Sequence, residues 1–141
     1  KDSYTPELVA ELLARAHVVK MNEDEMAALA ALFGLPGVGI EAFCRAGAGR
    51  FGWQAAAVTL GERGCCVWVD GAYAEAEGVA VQVADTVGAG DAFAAALVHG
   101  LSLGWPPERI GRFANRVAAL IASRPGGTPE WSVGEIGPLR D

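Results

Sequence analysis

The chain is 141 residues long, 52% of them apolar, with 11 basic against 17 acidic residues and a formal net charge of −6. That length fits one domain with a real core, the apolar content excludes disorder, and the acidic balance argues against nucleic acid or an anionic membrane as the main partner. No uninterrupted apolar run approaches the ~20 residues of a membrane span, no secretory leader pattern is visible, and a cytoplasmic location is expected.

In chain order, Pro6 to Ala16 reads as a helix with Leu8 and Leu12 on one face and proline in its first turn. Ala16 to Lys20 reads as a short strand. Asn22 opens a second helix carrying Met26, Leu29, Ala30 and Phe33, and Gly34 stops it. After the turn Leu35-Pro36-Gly37, a short helix runs from Ile40 to Ala46 and leads into the glycine-rich Gly47-Ala48-Gly49. Ala55 to Leu60 has the composition of a buried strand. The loop Gly61-Glu62-Arg63-Gly64 separates it from a strand over Cys65 to Val69, which Asp70-Gly71 turns back into Ala72 to Ala76.

Val79, Val81 and Val83 alternate, so a further strand is expected there, running into Asp85-Thr86-Val87-Gly88-Ala89-Gly90-Asp91. Phe93, Leu97 and Leu101 then mark a helix. Pro106-Pro107 starts a last long helix with Ile110, Phe113, Val117, Leu120 and Ile121 on one face. Arg124-Pro125-Gly126-Gly127-Thr128-Pro129 ends it, and the tail from Glu130 has little pattern beyond Trp131. Alternating helices and strands with a central hairpin predict a three-layer α/β/α fold with a mixed sheet. The three cysteines, Cys44, Cys65 and Cys66, are odd in number and lack C-x-x-C spacing, so reduced thiols are expected rather than disulfides or zinc. His17 and His99 have no ligand-spaced partners and read as structural or surface residues.

Four segments could carry chemistry. Asn22-Glu23-Asp24-Glu25 follows a strand. It reads as a capping box, or as an Asn22 and Glu25 pair at the ligand edge of an α/β sheet, where Mg2+ could be held largely through waters. Thr59-Leu60-Gly61-Glu62-Arg63-Gly64 reads as a glycine-bearing turn, or as a cradle of N–H groups and one hydroxyl for nucleotide phosphates. Asp85 to Asp91 places two glycines where a helix begins, and a helix start offers unpaired N–H groups and the positive end of a dipole to an anion. A carboxylate there does not attract phosphate, so proton abstraction is the role that Asp91 suggests. Asn115, inside the last helix, is either locally bonded or turned towards a base or ribose. The glycines fit neither G-x-G-x-x-G nor a P-loop, because residue 93 is Phe and no lysine follows Gly90. A dinucleotide oxidoreductase is therefore disfavoured.

In their order and spacing these segments resemble the carboxyl-terminal half of a ribokinase-like (PfkB) carbohydrate kinase, nearest to the fructokinase and ribokinase branches, from about Leu8 to Pro129. D-T-V-G-A-G-D-A-F is the specific element, and N-x-x-E, T-L-G-x-x-G and the Ala114-Asn115 helix support it. The resemblance implies a ribokinase-like fold and ATP-dependent phosphoryl transfer to a hydroxyl of a sugar or sugar-like substrate. It makes Asp91 the base and Gly88, Ala89 and Gly90 the anion hole. Asn22 and Glu25 would lie near the ATP phosphates and Mg2+. Thr59, Gly61, Glu62 and Gly64 would line the nucleotide, and Asn115 would approach its base or ribose. Some members bind a monovalent cation such as K+, which here would take Asp85 and the Val87 carbonyl, with carbonyls near Arg124 and Gly126. The Arg124-Pro125-Gly126-Gly127 loop departs from the commoner R-x-G-A. The resemblance also implies that the amino-terminal half, with its sugar residues and β lid, is absent from this chain, and that the parent could form a homodimer. A nucleotide-binding or regulatory module with the same fold, catalytically incomplete, is the alternative.

Overall fold

The computed structural model describes residues 4–126, 130 and 132–136. The loop residues Gly127, Thr128 and Pro129 and the tail residue Trp131 lie outside the described residues. Helix α1 (Pro6–Arg15) starts at Thr5, whose Oγ1 accepts the Leu8 N–H at 3.3 Å. Strand β1 occupies Val18–Asn22, two residues later than expected. Ala16 is used up as the end of α1, donating its N–H to Leu12 and Leu13, and the His17 carbonyl already accepts from Gln54. Helices α2 (Glu23–Phe33) and α3 (Ile40–Phe51) follow, and Gly34 ends α2 in the left-handed conformation at φ 65°.

The glycines expected to break α3 lie inside it instead. A Cβ on Gly47 would stand 2.2 Å from the Trp53 ring, so glycine is what lets the indole lie against the helix. Strands β2 (Ala55–Thr59), β3 (Gly64–Val69) and β4 (Ala72–Glu77) complete a mixed sheet of order β1-β2-β3-β4. β1 and β2 are parallel, with Asn22 level with Thr59, while β2–β3 and β3–β4 are antiparallel. Asp70 and Gly71 take φ 44° and 94° in the β3–β4 turn, the pair of positive angles that a two-residue hairpin turn of this hand needs.

Val79 to Val83 does not form the expected strand. The three valines are 41%, 38% and 49% exposed, and the ladder ends at Glu77. Alternation reports a two-faced segment, but a strand also needs a neighbour for its backbone groups. β4 is instead closed off by Gly78, which donates its N–H to the Arg63 carbonyl. The chain rejoins the body where the Ala84 and Asp85 N–H groups reach the Ala122 carbonyl at 2.9 and 3.1 Å.

Helices α4 (Ala89–Ser102) and α5 (Pro107–Ala122) cover the second face of the sheet, and a short α6 (Val133–Ile136) follows. Alternate residues of each strand therefore serve two cores. Val19, Met21, Ala56, Val58 and Trp68 pack with α2 and α3, while Ala57, Cys65 and Val67 pack with α4 and α5 through Phe93, Leu97, Ile110 and Phe113. This is the expected α/β/α layering. Side chains as fully buried as Leu97 and Ile110 each contribute roughly 1.5–3 kcal/mol. All three cysteines are free and buried. Burial pushes the Cys44 and Cys65 thiols up to about 12, so they stay protonated. No helix among the described residues is long and apolar enough to cross a membrane.

Candidate functional site

The parallel register of β1 and β2 sets Asn22 beside Thr59 at the carboxyl ends of both strands, where open α/β sheets take their ligands. Asn22 caps α2. Its Oδ1 accepts the Glu25 N–H, and the Glu25 carboxylate accepts the Asn22 N–H, both at 2.8 Å. The capping box is therefore real, and it also fixes both side chains at the sheet edge with Glu25 exposed. Thr59 donates its hydroxyl to the Met21 carbonyl at 3.4 Å.

The next segment, expected as a loop, is a single 3₁₀ turn at Gly61–Arg63. Gly61 and Gly64 have φ 60° and 109°, and the Leu60 N–H closes onto the Gly64 carbonyl at 2.8 Å. Arg63 forms an ion pair with Glu23, tying this turn to the first turn of α2. Gly64 passes so near β4 that a Cβ would stand 2.0 Å from the Ala76 carbonyl oxygen. The same carbonyl accepts from Asn115 Nδ2 at 3.1 Å, and the Glu77 carbonyl accepts from that nitrogen at 3.0 Å. Asn115 is buried on α5. Its amide N–H groups thus clamp the end of β4 beneath the turn that carries Gly61, Glu62 and Gly64. Replacing Asn115 by Ala should leave both carbonyls without this donor and lower stability by about 1–3 kcal/mol. Urea denaturation of the variant and the parent checks this.

The third part is the start of α4. Gly88 is left-handed at φ 83°, and no side chain caps the helix. The first-turn N–H groups of a helix have no intrahelical acceptor. Ala89 alone of the three expected anion-hole residues turns its N–H inward, to the Thr86 carbonyl at 3.3 Å. Asp91 follows in the first turn, exposed. Asp85 Oδ1 accepts the Val87 N–H at 2.9 Å, which shapes the approach to Gly88. Arg124, near the carbonyls named for a monovalent cation, bonds the Glu130 carbonyl and the Glu135 carboxylate. Its guanidinium holds the Glu135 carboxyl below the usual range.

One residue that sequence reading passed over joins these parts. Lys20 is central in β1, and its Nζ lies beside Gly90: a Cβ there would be 3.2 Å away. The edge formed by β1 and β2 and the start of α4 therefore face common ground. Its trace in the sequence is a charge between apolar neighbours in Val18-Val19-Lys20-Met21. The edge offers an anion uncapped N–H groups and an ammonium. For a divalent cation it offers Glu25, already bonded to Asn22. No group of three or more His, Cys, Asp or Glu converges among the described residues.

The chain thus combines a mixed sheet in an α/β/α arrangement with a glycine-opened helix start and an acid in its first turn. Residues 1–132 match the pfkB family of carbohydrate kinases, and the chain belongs to that family. A ribokinase of Arabidopsis thaliana is 32% identical over 123 residues, covering 84% of this chain and 32% of its own. The Burkholderia thailandensis nucleoside kinase solved with inosine superimposes with a TM-score of 0.81 at 23% identity, over 96% of this chain and 44% of its own. An E. coli protein solved in complex with ATP and Mg2+ gives 0.78 at 22% identity, over 94% and 42%. The fold is ribokinase-like. The chain spans between 14% and 36% of the length of four curated relatives.

Proposed function

We propose that the protein transfers the γ-phosphoryl group of ATP to a hydroxyl of a sugar or sugar-like acceptor, with Asp91 as the base and Gly88, Ala89 and Gly90 as the anion hole. The uncapped start of α4, with Asp91 in its first turn, carries this reading. Phosphoryl transfer asks for positioning and charge stabilisation more than covalent chemistry. N–H groups of Gly88 and Gly90 aimed at the moving phosphoryl are in place before its charge develops. The Asp91 carboxylate accepts the acceptor's proton late, when the new bond is largely made.

Thr59, Gly61, Glu62 and Gly64 line the nucleotide. Asn115 serves the base or ribose side through the β4 end that it fixes. Asn22 and Glu25 serve the metal-bound phosphates, Glu25 through water. Mg2+, when bound, neutralises phosphate charge and orients the β- and γ-phosphates. Asp85 and the Val87 carbonyl would hold a monovalent cation beside the anion hole. Partners are then ATP and a small sugar. The supporting observations are the family membership and the ATP and Mg2+ complex of a protein with the same fold.

The test is ATP consumption across a panel of sugars and nucleosides, with the protein at its full natural length. Acceptor-dependent ADP release is expected. ATP binding in calorimetry without turnover on any acceptor would favour the alternative of an incomplete nucleotide-binding module.

A further inference from the structure

Alternation along β1 sends Val19 and Met21 into the α2–α3 core. Lys20 therefore points to the opposite face, level with Ala57 of β2, a member of the apolar α4–α5 core. There its half-buried stem carries Nζ up beside Gly90. Two features of this placement are unfavourable in isolation. An ammonium stands at the positive end of a helix, which favours anions. A partly desolvated charge also needs a partner, yet the ion pairs among the described residues all use arginine. One anion shared between the Lys20 ammonium and the N–H groups of Gly88 and Gly90 removes both penalties.

We propose that Lys20 contacts the phosphoryl group in flight, beside the N–H groups of Gly88 and Gly90, an assignment that rests on the kinase reading above. As the acceptor oxygen bonds to the γ-phosphorus, the bond from that phosphorus to the β-bridging oxygen breaks. The hydroxyl proton passes to Asp91, ADP leaves with the bonding pair, and Lys20 takes no part in the proton transfer. Because Lys20 reaches the start of α4, its contact is assigned to the γ-phosphoryl and not to the part of the nucleotide that ADP retains.

The experiment uses the protein at its full natural length. Lys20→Met is expected to lower kcat by about a hundredfold, as removal of one preorganised donor does. It should weaken ATP binding about tenfold by calorimetry and leave ADP affinity within about twofold, because neutral Met keeps the stem and loses only the ammonium. Lys20→Arg restores part of the rate, since the charge remains while the geometry changes. If Met disturbs the fold in a thermal melt, Lys20→Gln carries the same comparison. A variant that turns over normally, or that loses ATP and ADP affinity equally, overturns the assignment and leaves the kinase reading intact. A wild-type protein with no ATP turnover on any acceptor overturns both.

Discussion

Asp91→Asn should lower kcat by about two to four orders of magnitude, the usual span for loss of a positioned general base, while ATP affinity stays close to that of the parent. Asparagine keeps the volume of the side chain and can still accept a hydrogen bond from the acceptor hydroxyl. It cannot take the proton. The residue is exposed in the first turn of α4 and no packed neighbour depends on it, so the fold has little to lose. The lost interaction between a carboxylate and the helix start is worth about 0.3–1 kcal/mol. Steady-state kinetics on the full-length protein, calorimetry with ATP and a thermal melt separate the three effects. A variant that retains a tenth or more of the parental turnover removes Asp91 from the role of base, wherever the phosphates bind.

The parts of this fold that could be read from sequence are those whose cause is local. Phe93, Leu97 and Leu101 and the apolar stripe of α5 recur at helical spacing, so both helices and their inner faces were legible. Asp70-Gly71 names its own turn, and Asn22 with Glu25 names a capping box. What was missed depends on distant chain. Gly47 looked like a helix breaker because nothing nearby announces that Trp53 will lie on it. Val79, Val81 and Val83 alternate as a strand would, but alternation carries no information on whether a neighbour is present. Asn115 was conspicuous as an amide inside a helix, yet its acceptors on Ala76 and Glu77 belong to β4. Lys20 is inconspicuous in sequence, because a strand over Ala16 to Lys20 makes it terminal, whereas it is central in β1. In the candidate site the residue types were visible, whereas their convergence is a property of the β1–β2 register and of where α4 begins.

Gly64→Ala is the substitution expected to damage both stability and the candidate site most. Gly64 has φ 109°, which a residue with a Cβ adopts only under strain. Its Cβ would meet the Ala76 oxygen at 2.0 Å, the Gly78 nitrogen at 2.6 Å and the Glu77 carbonyl carbon at 2.7 Å. All three are backbone atoms, so no rotamer change relieves the contact, and β4 or the 61–64 turn must move. The Ala76 and Glu77 carbonyls are the acceptors of Asn115, so movement of β4 also loosens its clamp to α5. Strain of about 1–3 kcal/mol and buried hydrogen bonds worth about 1–3 kcal/mol then add to a loss of roughly 3–5 kcal/mol, at the severe end for one residue. Gly61→Ala is the control. Its φ of 60° is also positive, but a Cβ there meets open space, so the cost should stay near the ~1–2 kcal/mol of left-handed backbone alone. Urea denaturation of both variants, with ATP calorimetry, distinguishes a collapsed support from a strained turn. Because Gly64 and Asn115 act on one carbonyl, the double variant Gly64→Ala with Asn115→Ala should lose less than the two single losses added together. Strict additivity, or a Gly64→Ala protein within about 0.5 kcal/mol of the parent, would mean that the nucleotide turn does not lean on β4 in solution.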